Sequence, residues 1–287
     1  MRPHQDANRG AFEASVKKDH PMADHTDQMV SIAGCRIRLM RGGSGAPLLF
    51  LHGGGGVGIW LPAMAQLARR FDVIVPEHPG YGASDTPEWL DTIADLANYY
   101  LEFLEELDLT GVHLVGSSIG GWIAAELAIR NASRLATLTL VGAAGIHVKD
   151  VPQVDIFLAN DEQRIRDLFY DQDLAEAVIA ASQQPGAEDA ALKNRTITAR
   201  LSWQPRSHDP NLRKWLHRIK LPTLLIWGAE DRVFPRPYAY VYQQLIPGAT
   251  AVVLPECGHL PQVEKGDQFV AELESFIENS LPGPSPA

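Results

Sequence analysis

The sequence predicts an α/β protein in which a mostly parallel central sheet is flanked by helices and carries an inserted helical cap. Three observations predict it. Short apolar runs alternate with helical stretches along most of the chain, the pattern of strands buried on both faces. Several of these runs end in loops rich in glycine, histidine or acidic residues. The alternation breaks once, after Val141, and resumes at Pro222. At 287 residues the chain suits one large domain with an insertion.

In chain order, residues 1–28 are polar and aperiodic, and read as a flexible N-terminal extension with a little helix near Ala11–Lys18. A first part of the core spans 29–146. Val30–Met40 alternates apolar and polar residues as an edge strand, and Arg41–Ala46 is a turn. Pro47–Leu51 is a buried strand ending in His52-Gly53-Gly54-Gly55-Gly56. Ile59–Arg70 has helical spacing. Phe71–Pro76 is a strand, followed by the turn-rich Glu77–Asp85 and a long amphipathic helix over Asp91–Leu107. The strand Val112–Gly116 leads into Ser117-Ser118-Ile119-Gly120 and a helix, Trp122–Arg130; Leu135–Val141 is the next strand.

Residues 147–218 form the insertion, with helical stretches near Glu162–Tyr170, Leu174–Gln183 and Asp189–Leu201. A simple crossover needs far less chain, and an insert at the strand C-termini is placed to act as a lid. Residues 219–280 complete the core with a strand (Pro222–Trp227), a helix (Pro237–Leu245), a strand (Ala249–Leu254), the Gly258-His259 loop and a last helix (Asp267–Asn279). Residues 281–287 read as a disordered tail.

The net charge of −10 argues against nucleic acid or an anionic membrane as partner. No apolar run is long enough to span a bilayer, and the N-terminus lacks the apolar core of a signal peptide. The two cysteines, Cys35 and Cys257, are far apart, which predicts no disulfide framework and a cytoplasmic location. No metal-type cluster is present in the sequence, so neither metal nor organic cofactor is implied. The composition leaves the oligomeric state, monomer or homodimer, open.

The chemistry centres on Gly116-Ser117-Ser118-Ile119-Gly120, a G-x-S-x-G between a strand and a helix. A serine at the tip of so sharp a turn sits in strained backbone, and the flanking glycines remove side chains that would clash. The helix start adds N–H donors near a developing oxyanion. A serine hydroxyl is a poor nucleophile without a base, and the base needs an orienting acid. Asp231, in Gly228-Ala229-Glu230-Asp231, follows one late strand; His259 follows the last. Glu230 sits one residue early. C-terminal ends of parallel strands share one edge, so Ser118, Asp231 and His259 can converge. Oxyanion donors are expected from the N–H groups of Ile119 and Gly54. Gly53-x-Gly55-x-x-Gly58 with Glu77 further on also fits a dinucleotide-binding fingerprint. That reading leaves His52, Ser118, Asp231 and His259 without a role.

Five segments in one order, H-G-G-G-G at 52–56, E-H-P-G-Y-G-A-S-D at 77–85, G-S-S-I-G-G at 116–121, G-A-E-D at 228–231 and C-G-H at 257–259, resemble the α/β-hydrolase family over about residues 30–280. The resemblance implies a serine nucleophile at 118, a triad with Asp231 and His259, an oxyanion hole at Gly54 and Ile119, and a helical cap. Serine at 118 disfavours the branches with an aspartate nucleophile, and Ile119 stands where the proline iminopeptidase branch usually has tryptophan.

The expected activity is carboxylic ester hydrolysis with small to medium acyl chains, through an acyl-enzyme. The glycines after His52 also resemble those of carbon–carbon bond hydrolases of meta-ring-cleavage products. Those enzymes usually carry an aromatic residue after the histidine, where this chain has Leu260, and a cap arginine, for which Arg195 or Arg200 stands available. A ligand-sensing receptor on the same fold is a further alternative. Trp60, Trp122, Trp203, Trp215, Phe234 and Leu260 are candidate pocket residues, with Phe157 and Phe169 assigned to the core of the cap.

Overall fold

The computed structural model describes residues 25–183 and 188–280. Most of the expected N-terminal extension, and the tail at 281–287, lie outside the described residues. Among the described residues eight strands form one sheet. They are β1 (His25–Ile32), β2 (Cys35–Gly43), β3 (Ala46–Leu51), β4 (Phe71–Pro76), β5 (Val112–Ser117), β6 (Leu135–Val141), β7 (Thr223–Gly228) and β8 (Thr250–Leu254). Their order across the sheet is β1-β2-β4-β3-β5-β6-β7-β8. The pairs β1–β2 and β2–β4 are antiparallel, and every later pair is parallel.

Alternation along the parallel strands divides the apolar side chains between two faces. Leu49, Leu51, Leu114, Leu138, Leu140, Leu225 and Trp227 face one core. It is closed by α2 (Ile93–Glu106), α3 (Ile119–Arg130) and α8 (Pro237–Leu245). Leu48, Phe50, Val73, Val75, Val115, Val141, Leu224 and Ile226 face the other core, against α1 (Pro62–Leu67) and α10 (Gly266–Ser280). Thr92 caps α2 reciprocally with Asp95: Thr92 Oγ1 accepts the Asp95 N–H at 3.2 Å, and Asp95 Oδ2 accepts the Thr92 N–H at 2.7 Å.

Three elements differ from the sequence reading. Arg41–Gly43, expected as part of a turn, continue β2 and pair with β4. Val30–Met40 is a hairpin and not one strand, because Ala33 and Gly34 take positive φ (48° and 70°) and reverse the chain. His25–Gln28, assigned to the extension, therefore lie in β1. The helix expected over Ile59–Arg70 is confined to Pro62–Leu67, its start set by Pro62.

Between β6 and β7 the chain makes a helical excursion: α4 (Asp161–Leu168), α5 (Gln172–Ser182), α6 (Glu188–Ser202) and the short α7 (Leu212–Trp215). Ile165, Phe169, Ala175 and Ile179 form a small core of its own, against which Leu260 and Val263 pack. Leu260 and Val263 belong to the turn entering α9 (Pro261–Glu264) and to that helix.

Candidate active site

Ser118 stands at the junction of β5 and α3, with φ 56° and ψ −118°. For a residue with a Cβ this is strained backbone, and its persistence shows that the surroundings impose it. A Cβ on Gly116 would fall 2.3 Å from the Gly120 carbonyl oxygen, and one on Gly120 would fall 2.1 Å from that of Leu51. Both positions therefore require glycine, and the turn can be sharp only because both have it. The Ser118 N–H donates to the Val141 carbonyl at 2.8 Å, and its carbonyl accepts the Ala144 N–H at 3.1 Å. The elbow is thus fastened to the end of β6. Ile119 opens α3, so its N–H has no acceptor within the helix.

Asp231 and His259 follow β7 and β8, and both are buried. Asp231 Oδ2 lies 2.8 Å from His259 Nδ1. A carboxylate accepts, so Nδ1 carries the proton and the neutral ring keeps Nε2 free to accept one. Asp231 Oδ1 accepts the N–H groups of Val233 and Phe234 at 2.8 and 2.9 Å, which fixes the carboxylate plane. The two loops can meet because residue 228 is glycine: a Cβ there would sit 1.9 Å from the Gly258 carbonyl oxygen. The His259 N–H donates to Leu168 O at 2.7 Å. Glu264 accepts the N–H groups of Gly258, Tyr170 and Asp171 at 2.5, 2.7 and 2.8 Å. This one carboxylate ties the histidine loop to the segment between α4 and α5, and burial raises its pKa.

The Gly53–Gly56 loop faces Ser118, with the Cβ of Ser118 only 3.2 Å from where one on Gly53 would stand. A buried histidine pair lies beneath it. His52 Nδ1–H donates to Gly53 O at 2.7 Å, and His52 Nε2 accepts the His78 N–H at 2.9 Å. His78 Nε2–H donates to His52 O at 2.9 Å, and its Nδ1 accepts from Tyr100 OH at 2.5 Å. Burial lowers the pKa of His52 to about 4 and drives that of His78 well below the ordinary histidine value. Both rings are neutral and structural.

A cavity of about 410 Å³ opens beside these groups. Ser118, His259 and the loop from Gly53 to Gly58 line its base. Phe50, Leu61, Met64, Val233, Leu260, Gln262 and Val263 line it from the core, and Ile156, Phe157, Arg164, Leu168, Phe169, Val178, Ala191, Asn194, Arg195 and Thr198 from the excursion. Of the aromatic candidates, none lines it. Trp60 is buried and stacks on His25, with centroids 4.7 Å apart. Trp122 is buried in α3 and packs over Gly145. Trp203 and Trp215 are half exposed, Trp203 against Phe157 and Arg206. Phe234 sits behind His259, centroid to centroid 5.6 Å, and supports that ring from outside the cavity. Leu260 does line the cavity, and so do Phe157 and Phe169; Phe169 also belongs to the small core of the excursion, as expected, whereas Phe157 packs against Trp203. Arg195 reaches the cavity, whereas Arg200 pairs with Asp91 away from it.

The dinucleotide reading does not survive this geometry. Glu77 Oε2 accepts the N–H groups of Ala83 and Ser84 at 2.7 and 2.9 Å and is buried, unavailable to a ribose. Nor does Gly58 open a helix, since α1 begins at Pro62. Among the described residues no three His, Cys, Asp or Glu side chains gather as a metal site, and no helix is long and apolar enough to cross a membrane.

Known proteins are similar to this chain in sequence and fold. The chain is 30% identical over 272 residues to a 2-hydroxy-6-oxo-2,4-heptadienoate hydrolase of Pseudomonas putida, covering 87% of this chain and 95% of the relative. A meta-cleavage product hydrolase of Pseudomonas fluorescens superposes with a TM-score of 0.69 at 25% identity, over 88% of this chain and 98% of that one. An esterase of Exiguobacterium antarcticum shares the fold, with a TM-score of 0.73 at 23% identity over 88% of this chain and all of its own. The family model for the alpha/beta hydrolase fold matches residues 46–266, from β3 through the elbow and both late loops, and the chain belongs to that family.

Proposed function

We propose that this enzyme is a serine hydrolase of carboxylic esters with small to medium acyl chains. Ser118 is the nucleophile, His259 the base and Asp231 the group that orients it. The observation that carries the reading is that the strained elbow serine and the Asp231-held imidazole open on one cavity. Ser118 Oγ attacks the ester carbonyl carbon while His259 Nε2 takes its proton. The N–H groups of Gly54 and Ile119 receive the negative oxygen. His259 returns the proton to the leaving alcohol, and water repeats the sequence on the acyl-enzyme. The helical excursion, 147–218, acts as a cap over the site. Apolar walls from Phe157, Leu168, Phe169 and Val178 suit an acyl chain. Both cysteines are free and buried, which supports a reducing compartment such as the cytoplasm.

A second reading, hydrolysis of a carbon–carbon bond in a meta-ring-cleavage product, is favoured by Arg195. This cation stands, beside Arg164, on the wall of a mostly apolar cavity, and the Pseudomonas putida relative is named for hydrolysis of 2-hydroxy-6-oxo-2,4-heptadienoate. One experiment opens both. Label the protein and its Ser118→Ala variant with a fluorophosphonate probe, locate the adduct by mass spectrometry, then compare p-nitrophenyl esters of rising chain length with a 2-hydroxy-6-oxo-dienoate. Labelling at Ser118 alone with ester turnover supports the first reading, and turnover of the dienoate alone the second. Labelling with a single turnover points to a receptor, and no labelling of folded protein overturns both hydrolase readings.

A further inference from the structure

The loop proposed to supply half of the oxyanion hole is held by more than its own backbone. Three successive carbonyls are each gripped by a different side chain. Gly53 O accepts from His52 Nδ1 at 2.7 Å, Gly54 O from Thr198 Oγ1 at 3.0 Å, and Gly55 O from Asn194 Nδ2 at 2.8 Å. The first grip comes from the core and the next two from α6. Asn194 and Thr198 are four residues apart, so they share one face of that helix.

Glycine peptides have no side chains to set their torsions, so such a loop is free unless held from outside. The loop's own contribution is one bond, Gly56 N–H to Gly53 O at 3.0 Å. In a trans peptide, C=O and the following N–H point opposite ways. Holding Gly53 O from below therefore aims the Gly54 N–H away from His52. Holding Gly54 O and Gly55 O fixes the two peptides that follow and stops the first from swinging.

The grips are themselves anchored. Thr198 Oγ1 donates to Gly54 O, so it accepts from Tyr81 OH, 3.0 Å away. Asn194 Oδ1 accepts the Gly82 N–H at 2.8 Å. Lys193 donates to Gly82 O and Ser84 O at 2.9 and 2.6 Å. Tyr81, Asn194 and Thr198 are buried. The fit is close: a Cβ on Gly56 would lie 2.4 Å from Asn194 Nδ2, and one on Gly54 3.0 Å from Thr198 Oγ1.

We propose that Asn194 and Thr198 are positioning residues, which set the Gly54 N–H in its oxyanion-binding orientation only while α6 is seated on the loop. The inference rests on the oxyanion role given to Gly54 above. It makes α6 more than a wall of the cavity: the hole is complete only with this helix in contact with the loop.

The test compares Thr198→Val, Thr198→Ser and Asn194→Ala with the parent protein, using p-nitrophenyl butyrate kinetics, fluorophosphonate labelling and thermal melting. Thr198→Val keeps the shape and removes the donor, and is expected to lower kcat by about 10-fold or more with KM within about 2-fold, since the lost interaction acts on the transition state. Asn194→Ala is expected to do the same. Thr198→Ser keeps the hydroxyl and is expected to stay within about 3-fold of the parent. Equal losses in the Ser and Val variants would overturn the proposal, because the methyl group and not the hydroxyl would then matter. So would a Thr198→Val effect confined to KM, or parent-like kcat in both Thr198→Val and Asn194→Ala. If the parent protein itself neither labels nor turns over, the underlying hydrolase reading has failed instead, and the two failures are told apart.

Discussion

Asp231 Oδ2 and His259 Nδ1 lie 2.8 Å apart, while the other oxygen of Asp231 is occupied by two backbone N–H groups. This division of labour makes the aspartate's effect separable from its packing. In Asp231→Asn, the amide oxygen still accepts from Val233 and Phe234, but the amide nitrogen then faces His259 Nδ1. The ring must turn its proton to Nε2, where it cannot accept one from Ser118. Turnover is expected to fall by about 10³–10⁴-fold, against about 10⁴-fold or more for Ser118→Ala or His259→Ala. Circular dichroism should be unchanged. Parent-like kcat in Asp231→Asn would remove Asp231 from the triad.

The parallel strands, the elbow and the two late loops were legible because each leaves a local mark. The β5 strand is wholly buried and so reads as an apolar run, and Gly116 and Gly120 are there because a Cβ would strike backbone. The hairpin at Ala33-Gly34 was hidden because that turn interrupts the alternation only weakly. The cavity wall was least legible. Whether an aromatic faces a core or a cavity depends on how separate elements rotate against each other, so Trp60 turns to His25 while Phe157 and Phe169 turn to the site. Asn194 and Thr198 fall in the stretch Asp189–Leu201, expected only to be helical, and nothing local shows that their partners are loop carbonyls.

Gly228 and Gly266 make a matched pair for the claim that glycine is required only where chains touch. A Cβ at 228 meets the Gly258 carbonyl oxygen at 1.9 Å, whereas one at 266 meets only Ala63, at 3.9 Å. Gly228→Ala forces apart the loops bearing Asp231 and His259, and is expected to destabilise by about 3 kcal/mol or more, a fall in Tm of about 6–12 °C. Gly266→Ala opens α10 with a better helix former and is expected to leave Tm unchanged or slightly raised. Differential scanning fluorimetry decides, and equal melting of both variants would contradict the claim.

The His52–His78 pair makes the protein acid-sensitive. Both rings are buried and neutral, with His52 protonating only at about 4 when folded, against 6.5 in a solvated chain. As pH falls the unfolded chain therefore takes up protons that the folded chain refuses. The stabilisation is complete above about 6.5 and is lost progressively between about 6.5 and 4, amounting to about 3 kcal/mol for His52 alone. Melting temperatures should drop steadily from pH 7 to 4.5. His78→Gln retains a donor for His52 O and removes one titrating group, so its decline should be shallower, though from a lower starting point. An unchanged slope in that variant would locate the acid sensitivity elsewhere.

Arg195 and Arg200 offer the sharpest separation between ester and carbon–carbon substrates. They sit on the same helix, but only Arg195 reaches the cavity, held at its rim by Asp161, which also pairs with Arg164. Two guanidinium groups on one carboxylate leave a net positive charge at the wall. A neutral ester has nothing to gain from it, whereas a substrate bearing a carboxylate does. Arg195→Leu is therefore expected to raise KM for a 2-hydroxy-6-oxo-dienoate by about 10-fold or more, and to change KM for p-nitrophenyl butyrate by less than about 2-fold. Arg200→Leu, which breaks only the exposed pair with Asp91, should change neither, because exposed ion pairs contribute little. Should Arg195→Leu leave the dienoate KM untouched, the charge at the wall has no part in binding, and the carbon–carbon reading loses the one structural feature that favours it.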